Sequence, residues 1–294
     1  MTATLSSRTS VLTPLEEAVA EIPDGAAVGI GGAVTAAHPM ALVRALARRG
    51  VRDLTVVAPT AGLDVEVLVA AGCVKTLVAS YVGMEGVAGV APVFRRAAEE
   101  GTIDVRDVDE AHCIAALRAA AQKLPSLPWR GGAGTSYAEV NPDLVGFEDP
   151  VSGEELIAIP ALPLDFALVY AEQADEFGNA QPSGAGNMDQ LLGAAAARVI
   201  VQVERIASNE EIRRDPARTW QWKDARVVRA PFGTHPYSSA GMIADVEHLE
   251  EYVAAGREGG EALAEYMRRH VGDAPDHDSY LETIGIRRIA SLLV

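Results

Sequence analysis

What this sequence lacks narrows its function before any motif is read. Cysteine occurs only twice, at Cys73 and Cys113. That is too few for a disulfide framework, and the paired spacing of a zinc site is missing, so both are expected as buried free thiols. Aromatic residues make up only 5% of the chain. Ala, Val, Leu and Gly must therefore do the packing, which suits helices laid closely on a parallel sheet. Basic residues are outnumbered, 25 against 41 acidic ones, for a net charge of −16. This balance argues against nucleic acid as a partner and gives a phosphate-bearing ligand no help from the overall field. No run approaches the roughly 20 apolar residues of a membrane span. The opening MTATLSSRTSVLTP has no apolar core long enough for a signal peptide, so a cytoplasmic location is expected. The six histidines, at 38, 112, 235, 248, 270 and 277, form no HxxxH or HExxH pattern, so no metal is expected.

What is present is enough for a full core. The 294 residues are 49% hydrophobic and 22% charged, which allows one large α/β domain or two unequal lobes. The chain is organised around AAVGIGGAVTAAHPM, residues 26–40. Ala26 to Gly31 is small and apolar, right for a strand buried in a parallel sheet. Gly31-Gly32 breaks it, and Pro39 opens a helical pattern that Gly50 stops. Strand, glycine turn and helix in that order bring backbone N–H groups to the carboxyl edge of a sheet, where α/β proteins bind anions. The turn is not a dinucleotide fingerprint, because Val34 stands where the third glycine belongs, and no GxxxxGK[ST] occurs. A turn that admits a ligand and a tight turn without one fit this spacing equally.

The rest of the chain alternates. Thr13-Pro14-Leu15-Glu16 reads as a capping box after a loose tail over residues 1–12. Strands are expected at 54–57, 74–80 and 103–105, with helices at 64–71, 91–100 and 110–123, the last capped by Asp109. From Pro125 to Glu154 the periodicity vanishes, and an irregular excursion over an active site or a partner is expected. Strands resume at 156–160, 166–170, 199–203 and 227–228. Residues 245–294 read as mainly helical. The fold class is α/β, a mostly parallel sheet covered by helices with a helical C-terminal region.

Several stretches in order, GIGGAVTAAHP, LTVVAP, SYVGMEG, ADEFGNA and PFGTHPYSSAG, resemble the α (A) subunit of family I coenzyme A-transferases. The glutaconate CoA-transferase branch is the most similar, and the related steroid-ring hydrolases share the pattern. The resemblance covers about residues 14–285, within one NagB/RpiA-like domain over residues 13–285. It implies transfer of CoA from an acyl-CoA to a free dicarboxylic or oxo acid, with acyl-CoA as substrate and no tightly bound cofactor. It also implies a β (B) subunit partner that supplies a nucleophilic glutamate in a Glu-Asn-Gly motif. That motif is absent from this chain, which would then be one wall of a shared site. Gly31, Gly32 and Val34 would line the acyl pocket, with Ser80, Gly83 and Glu85 beside it and His235 a further binding candidate. A ring-opening hydrolase using Glu110 and a non-catalytic ligand-binding module are the alternatives.

Individual residues carry two readings each. Glu110 either complements a helix dipole or, by its likeness to the hydrolases' carboxylate after an Asp-Glu pair, acts as a base. Glu85 reaches a ligand or only solvent. His235 makes a structural hydrogen bond or takes part in catalysis. Asn179 is expected to serve its own turn, and Trp220 and Trp222 to pack or to form an interface.

Overall fold

The structure, a computed structural model, describes residues 8–184, 186 and 188–294; of the expected N-terminal tail, residues 1–7 lie outside the described residues. Helix α1 (Leu15–Ala20) leads into β1 (Ala27–Ile30). There follow α2 (Met40–Arg49), β2 (Leu54–Val57), α3 (Leu63–Ala70), β3 (Val74–Ala79), α4 (Pro92–Glu100), β4 (Asp104–Asp107) and α5 (Glu110–Ala121). Three short strands, β5 (Ser126–Trp129), β6 (Val145–Glu148) and β7 (Glu155–Pro160), come next. The long β8 (Leu164–Ala174), α6 (Asp189–Ala195), the long β9 (Ala196–Ile206) and β10 (Ala225–Arg229) complete the sheet.

The main sheet runs in the order β10-β9-β8-β1-β2-β3-β4, and every neighbouring pair in it is parallel. This is the mostly parallel, helix-covered sheet that the alternating sequence implies. The chain steps outward from β1 in one direction through β2, β3 and β4, and in the other through β8, β9 and β10. The β1/β8 boundary is thus the topological switch point, where loops from the two halves part and leave a crevice. Ile30, the last residue of β1, pairs with Leu168, so β8 runs on past it and forms one side of that crevice.

Three local expectations fail for tertiary reasons. The Thr13 capping box does not form: Pro14 holds the cap position of α1 with no side-chain bond. Thr13 is drawn instead to the sheet edge, where its N–H donates to Val227 O at 2.9 Å and its hydroxyl to Val11 O. Val11 and Leu12 join that edge too, so this part of the expected tail is tied down. The excursion after Pro125 is more regular than its sequence. β5 and β6 flank β7 in an antiparallel sheet, its two outer strands only four residues long and so too short to show a period.

The C-terminal region is helical, with α7 (Val246–Glu258), α8 (Gly260–Met267), a π-helical turn at Arg268–Gly272, α9 (His277–Ile284) and α10 (Ile286–Ser291). Asp245 is its hub. This side chain, 3% exposed, accepts from Arg288 at 2.5 and 2.6 Å and from the His248 N–H at 3.0 Å, and pairs with His235 Nε2 at 3.0 Å. Burial favours the protonated acid, but Arg288, His235 and the His248 N–H outweigh it and hold the carboxyl well below its usual range. A depressed folded-state pKa gives stabilisation that is complete above about pH 4 and is lost as pH falls further. Asp245→Asn should therefore cost about 3 kcal/mol, the worth of a broken buried pair, in denaturant titration at pH 7. It should also shrink the loss of stability below about pH 4.

Candidate active site at the carboxyl edge of the sheet

The turn after β1 is shaped by two buried side chains. A Cβ on Gly31 would lie 2.0 Å from Asp189 Oδ1, and one on Gly32 would lie 2.7 Å from the His38 ring. Gly32 also has φ +96°, which side chains rarely adopt. Glycine at these two positions lets Asp189 and His38 close over the end of the strand. Asp189 begins α6, and its Oδ2 stands 3.5 Å from the Gly32 N–H while Oδ1 has no partner among the described residues. Burial pushes its carboxyl up to about 7, against the pull of the Gly32 N–H.

His38 is equally enclosed. Its Nδ1 bonds Asp64 Oδ2 at 3.0 Å, its ring lies 4.3 Å from that of Tyr237, and its Nε2 has no partner among the described residues. Burial alone would raise the Asp64 pKa, but His38 and the Gly62 N–H, 2.7 Å from Oδ1, bring it below the ordinary value. Between the glycines and His38 the chain makes a tight loop, Ala33 and Ala36 exchanging backbone bonds at 3.0 Å. Val34 sits in this loop at φ +57°, a strained setting for a β-branched residue. Ser238 pins the loop through Thr35 O and the Ala37 N–H. A cavity of about 430 Å³ opens here, lined by Ala37, Tyr170, Gly184, Asp189, Trp220 and Ser239 among others.

A larger cavity of about 850 Å³ lies further along the same edge, past β3 and β4. Ser80 lines it, with an Oγ that has no partner among the described residues. Asp109 caps α5, accepting from Ala111 and His112 N–H. The Tyr137 hydroxyl, from the excursion, accepts the Asp109 N–H at 2.9 Å and bonds His112 Nδ1 at 2.8 Å. Burial lowers the His112 pKa, although Asp109 opposes it. The excursion thus covers this part of the edge.

Other expectations are redirected. The N-terminus of α2 holds no free anion site, because Gln202 Oε1 accepts from Ala41 and Leu42 N–H at 3.1 and 3.3 Å and Gly233 O accepts from Ala41 at 2.8 Å. His235 lines neither edge cavity. It is fully buried, with Nδ1 on the Tyr280 hydroxyl at 2.7 Å and Nε2 on Asp245, so its ring is held structurally. Gly83 makes room for Tyr81, whose hydroxyl a Cβ would meet at 2.4 Å. Glu85 and Glu110 are both exposed. Glu110 pairs with no cation among the described residues. Asn179 serves its turn, its side chain donating to Asp175 at 2.7 Å. Trp220 and Trp222 pack edge to face at 5.8 Å. Sequence reasoning missed His38, Asp64 and Asp189. His38 stood in the quoted turn, but nothing in the sequence marks Asp64 and Asp189 as its neighbours.

Two measurements check this geometry. Gly31→Ala should destabilise by roughly 1–3 kcal/mol through overpacking. Much of that loss should vanish in an Asp189→Ala background, a coupling of about 0.5–3 kcal/mol. Since the Asp189 pKa is raised in the folded state, stability should fall as pH rises from about 4 through about 7. Asp189→Asn should flatten that fall in unfolding titrations across the window.

A coenzyme A transferase family model matches residues 12–220. The cholesterol ring-cleaving hydrolase IpdA subunit of Mycobacterium tuberculosis is 33% identical over 94% of this chain and 98% of its own length. The A-type subunit of glutaconate CoA-transferase from Acidaminococcus fermentans is 31% identical, covering 97% of this chain and 95% of that one. The crystal structure of glutaconate coenzyme A-transferase from the same organism matches with a TM-score of 0.91 at 30% identity, over 97% of this chain and 96% of that one. An uncharacterized protein of Archaeoglobus fulgidus is 35% identical over 94% of this chain, which spans 64% of that longer protein. On this family match and on near full-length likeness to components of two named enzymes, the chain belongs to the coenzyme A transferase family, among its A-type subunits.

Proposed function

We propose that this chain is the non-nucleophilic half of a heteromeric CoA-transferase that moves CoA between an acyl-CoA and a free dicarboxylic or oxo acid. The observation that carries this reading is how its carboxylates are used at the sheet edge. Asp189 is buried against the Gly32 turn and Asp109 caps α5, while Glu85 and Glu110 stand exposed. Acyl transfer needs a carboxylate nucleophile in a site that excludes water. The one enclosed carboxyl described at the glycine turn, Asp189, is wedged against Gly31 and Gly32 and pushed up to about 7 by burial, a poor setting for an anionic nucleophile, so a B-type partner closes the site and supplies the nucleophile. The names of both characterised relatives, each one subunit of an enzyme, support such a partner.

The chemistry follows from the family resemblance. The partner's glutamate attacks the thioester carbonyl and expels CoA thiolate, leaving an acyl–glutamyl anhydride. The thiolate attacks the glutamyl carbonyl and releases the first acid. The second acid, as carboxylate, attacks the resulting glutamyl-CoA thioester and again expels the thiolate. That thiolate takes up the new acyl group from the second anhydride and frees the glutamate. Binding of the remote CoA body is drawn on at the reacting carbonyl. The glycine turn, Val34 and Ser80 would shape the acyl side of the pocket.

The hydrolase reading is favoured by the 33% identity to the ring-cleaving subunit and by Glu110, whose exposure leaves it free to act as a base once a partner covers it. One experiment separates the two. With acyl-CoA and no acceptor, the co-purified complex should yield a borohydride-reducible glutamyl-CoA thioester that peptide mass analysis places on the partner. Glu110→Gln should leave that adduct intact. A hydrolase would give no adduct and lose about 10²–10⁴-fold in rate with Glu110→Gln. The isolated chain should exchange no CoA; a monomer that does so unaided would overturn the shared-site reading.

A further inference from the structure

Behind α2 lies a buried polar cluster that acyl transfer does not use. Arg44, on the core-facing side of α2, is 4% exposed. Its Nη1 donates to His235 O at 2.8 Å and its guanidinium stacks 3.6 Å from the Tyr280 ring, but Nη2 has no partner among the described residues. No carboxylate lies within ion-pair distance of it among the described residues. Beside it is a cavity of about 10 Å³ among buried side chains, lined by Arg44, His248, His270, Tyr266 and Tyr280 together with apolar side chains. His270, carried by the π-helical turn, is 3% exposed, and neither of its ring nitrogens has a hydrogen-bond partner among the described residues.

The charges around the cavity do not cancel. Burial lowers the pKa of both His248 and His270, so the rings are neutral and Arg44 carries the cavity's charge. Asp245 is committed to Arg288 and His235. Glu251 Oε1 stands 3.5 Å from His270 Nε2 and equally close to the Arg269 guanidinium, toward solvent. The cavity is left with the uncompensated positive charge of Arg44, and an unpaired buried charge is strongly destabilising.

We propose that this cavity is a binding site for a small monovalent anion of chloride size, held by Arg44 Nη2 and a ring N–H of His270. A cavity of this volume holds one water-sized occupant, which excludes phosphate or carboxylate ligands. A water would fill the space without neutralising Arg44. His248, Glu251 and His270 also offer ligand atoms within 4.8 Å of one another, but Arg44 and Arg269 repel a cation there. The anion ties α2, the helix that follows the glycine turn, to the π-helical turn, and its occupancy steadies the wall of the crevice. The site is independent of the acyl-transfer reading.

Thermal unfolding of the full chain, measured in chloride against gluconate at equal ionic strength, tests it, because gluconate is too large to enter. Tm should rise by about 3 °C or more with chloride and then saturate. Arg44→Met should remove the chloride dependence, whatever Tm it shows in gluconate after losing the bond to His235 O. Bromide-soaked crystals should show an anomalous peak between Arg44 and His270, which decides the matter even if the variant fails to fold. Equal Tm in the two salts, a chloride dependence that survives in Arg44→Met, or a cavity without bromide would overturn the proposal. So would stoichiometric zinc that is lost in His270→Ala.

Discussion

The site depends on one steric constraint, the closeness with which Asp189 and His38 approach the backbone after β1. β1 ends at Ile30 while its neighbour β8 runs on, so the chain must leave the sheet within two residues beneath those two side chains. Only a residue without a Cβ fits at either position. That closeness sets the loop through Val34, the start of α2 and the inner wall of the crevice. It also buries three titratable groups, His38, Asp64 and Asp189, where fixed dipoles act in a low dielectric.

The polar residues that look misplaced in such a sheet are explained by the same turn. Gln202 sits fully buried on β9, inside the sheet next to its edge strand, a costly place for an amide. There its oxygen caps the first turn of α2. Gly233 lets the chain approach Gln202, whose amide nitrogen a Cβ would meet at 2.5 Å, and its carbonyl completes the cap. His235 O then receives Arg44. The PFGTHP stretch, which carries the binding candidate His235, is therefore a brace that holds α2 and the glycine turn at the crevice.

Family and fold are not function, since related scaffolds host transfer and hydrolysis alike. What differs among such enzymes is which carboxylate is free and what shuts out water. In this chain the buried acids Asp64 and Asp245 are held by cationic or imidazole partners, Asp189 is wedged against the glycine turn, and Glu85 and Glu110 stand at the rim. The catalytic environment is therefore completed from outside, and the long covering excursion with Tyr137 and the capped start of α5 presents a preformed wall to whatever completes it.

The sequence by itself determined the alternating parallel architecture, because burial on both faces of a sheet leaves short apolar runs between helices closed by glycine. It also placed a glycine turn after β1, without deciding whether the turn admits a ligand, and showed that the Glu-Asn-Gly motif implied by the family resemblance is absent from this chain. The tertiary structure alone decided that the helix end is sealed by Gln202, that His235 is structural, that the stretch after Pro125 is a three-stranded sheet, and that Asp64 and Asp189 gather at the turn. Asp64 and Asp189 lie 125 positions apart in the chain, and Gln202 and Ala41 are 161 apart. No local period records such meetings. They follow from the order in which strands take their places around the switch point, which is fixed only when the whole sheet packs.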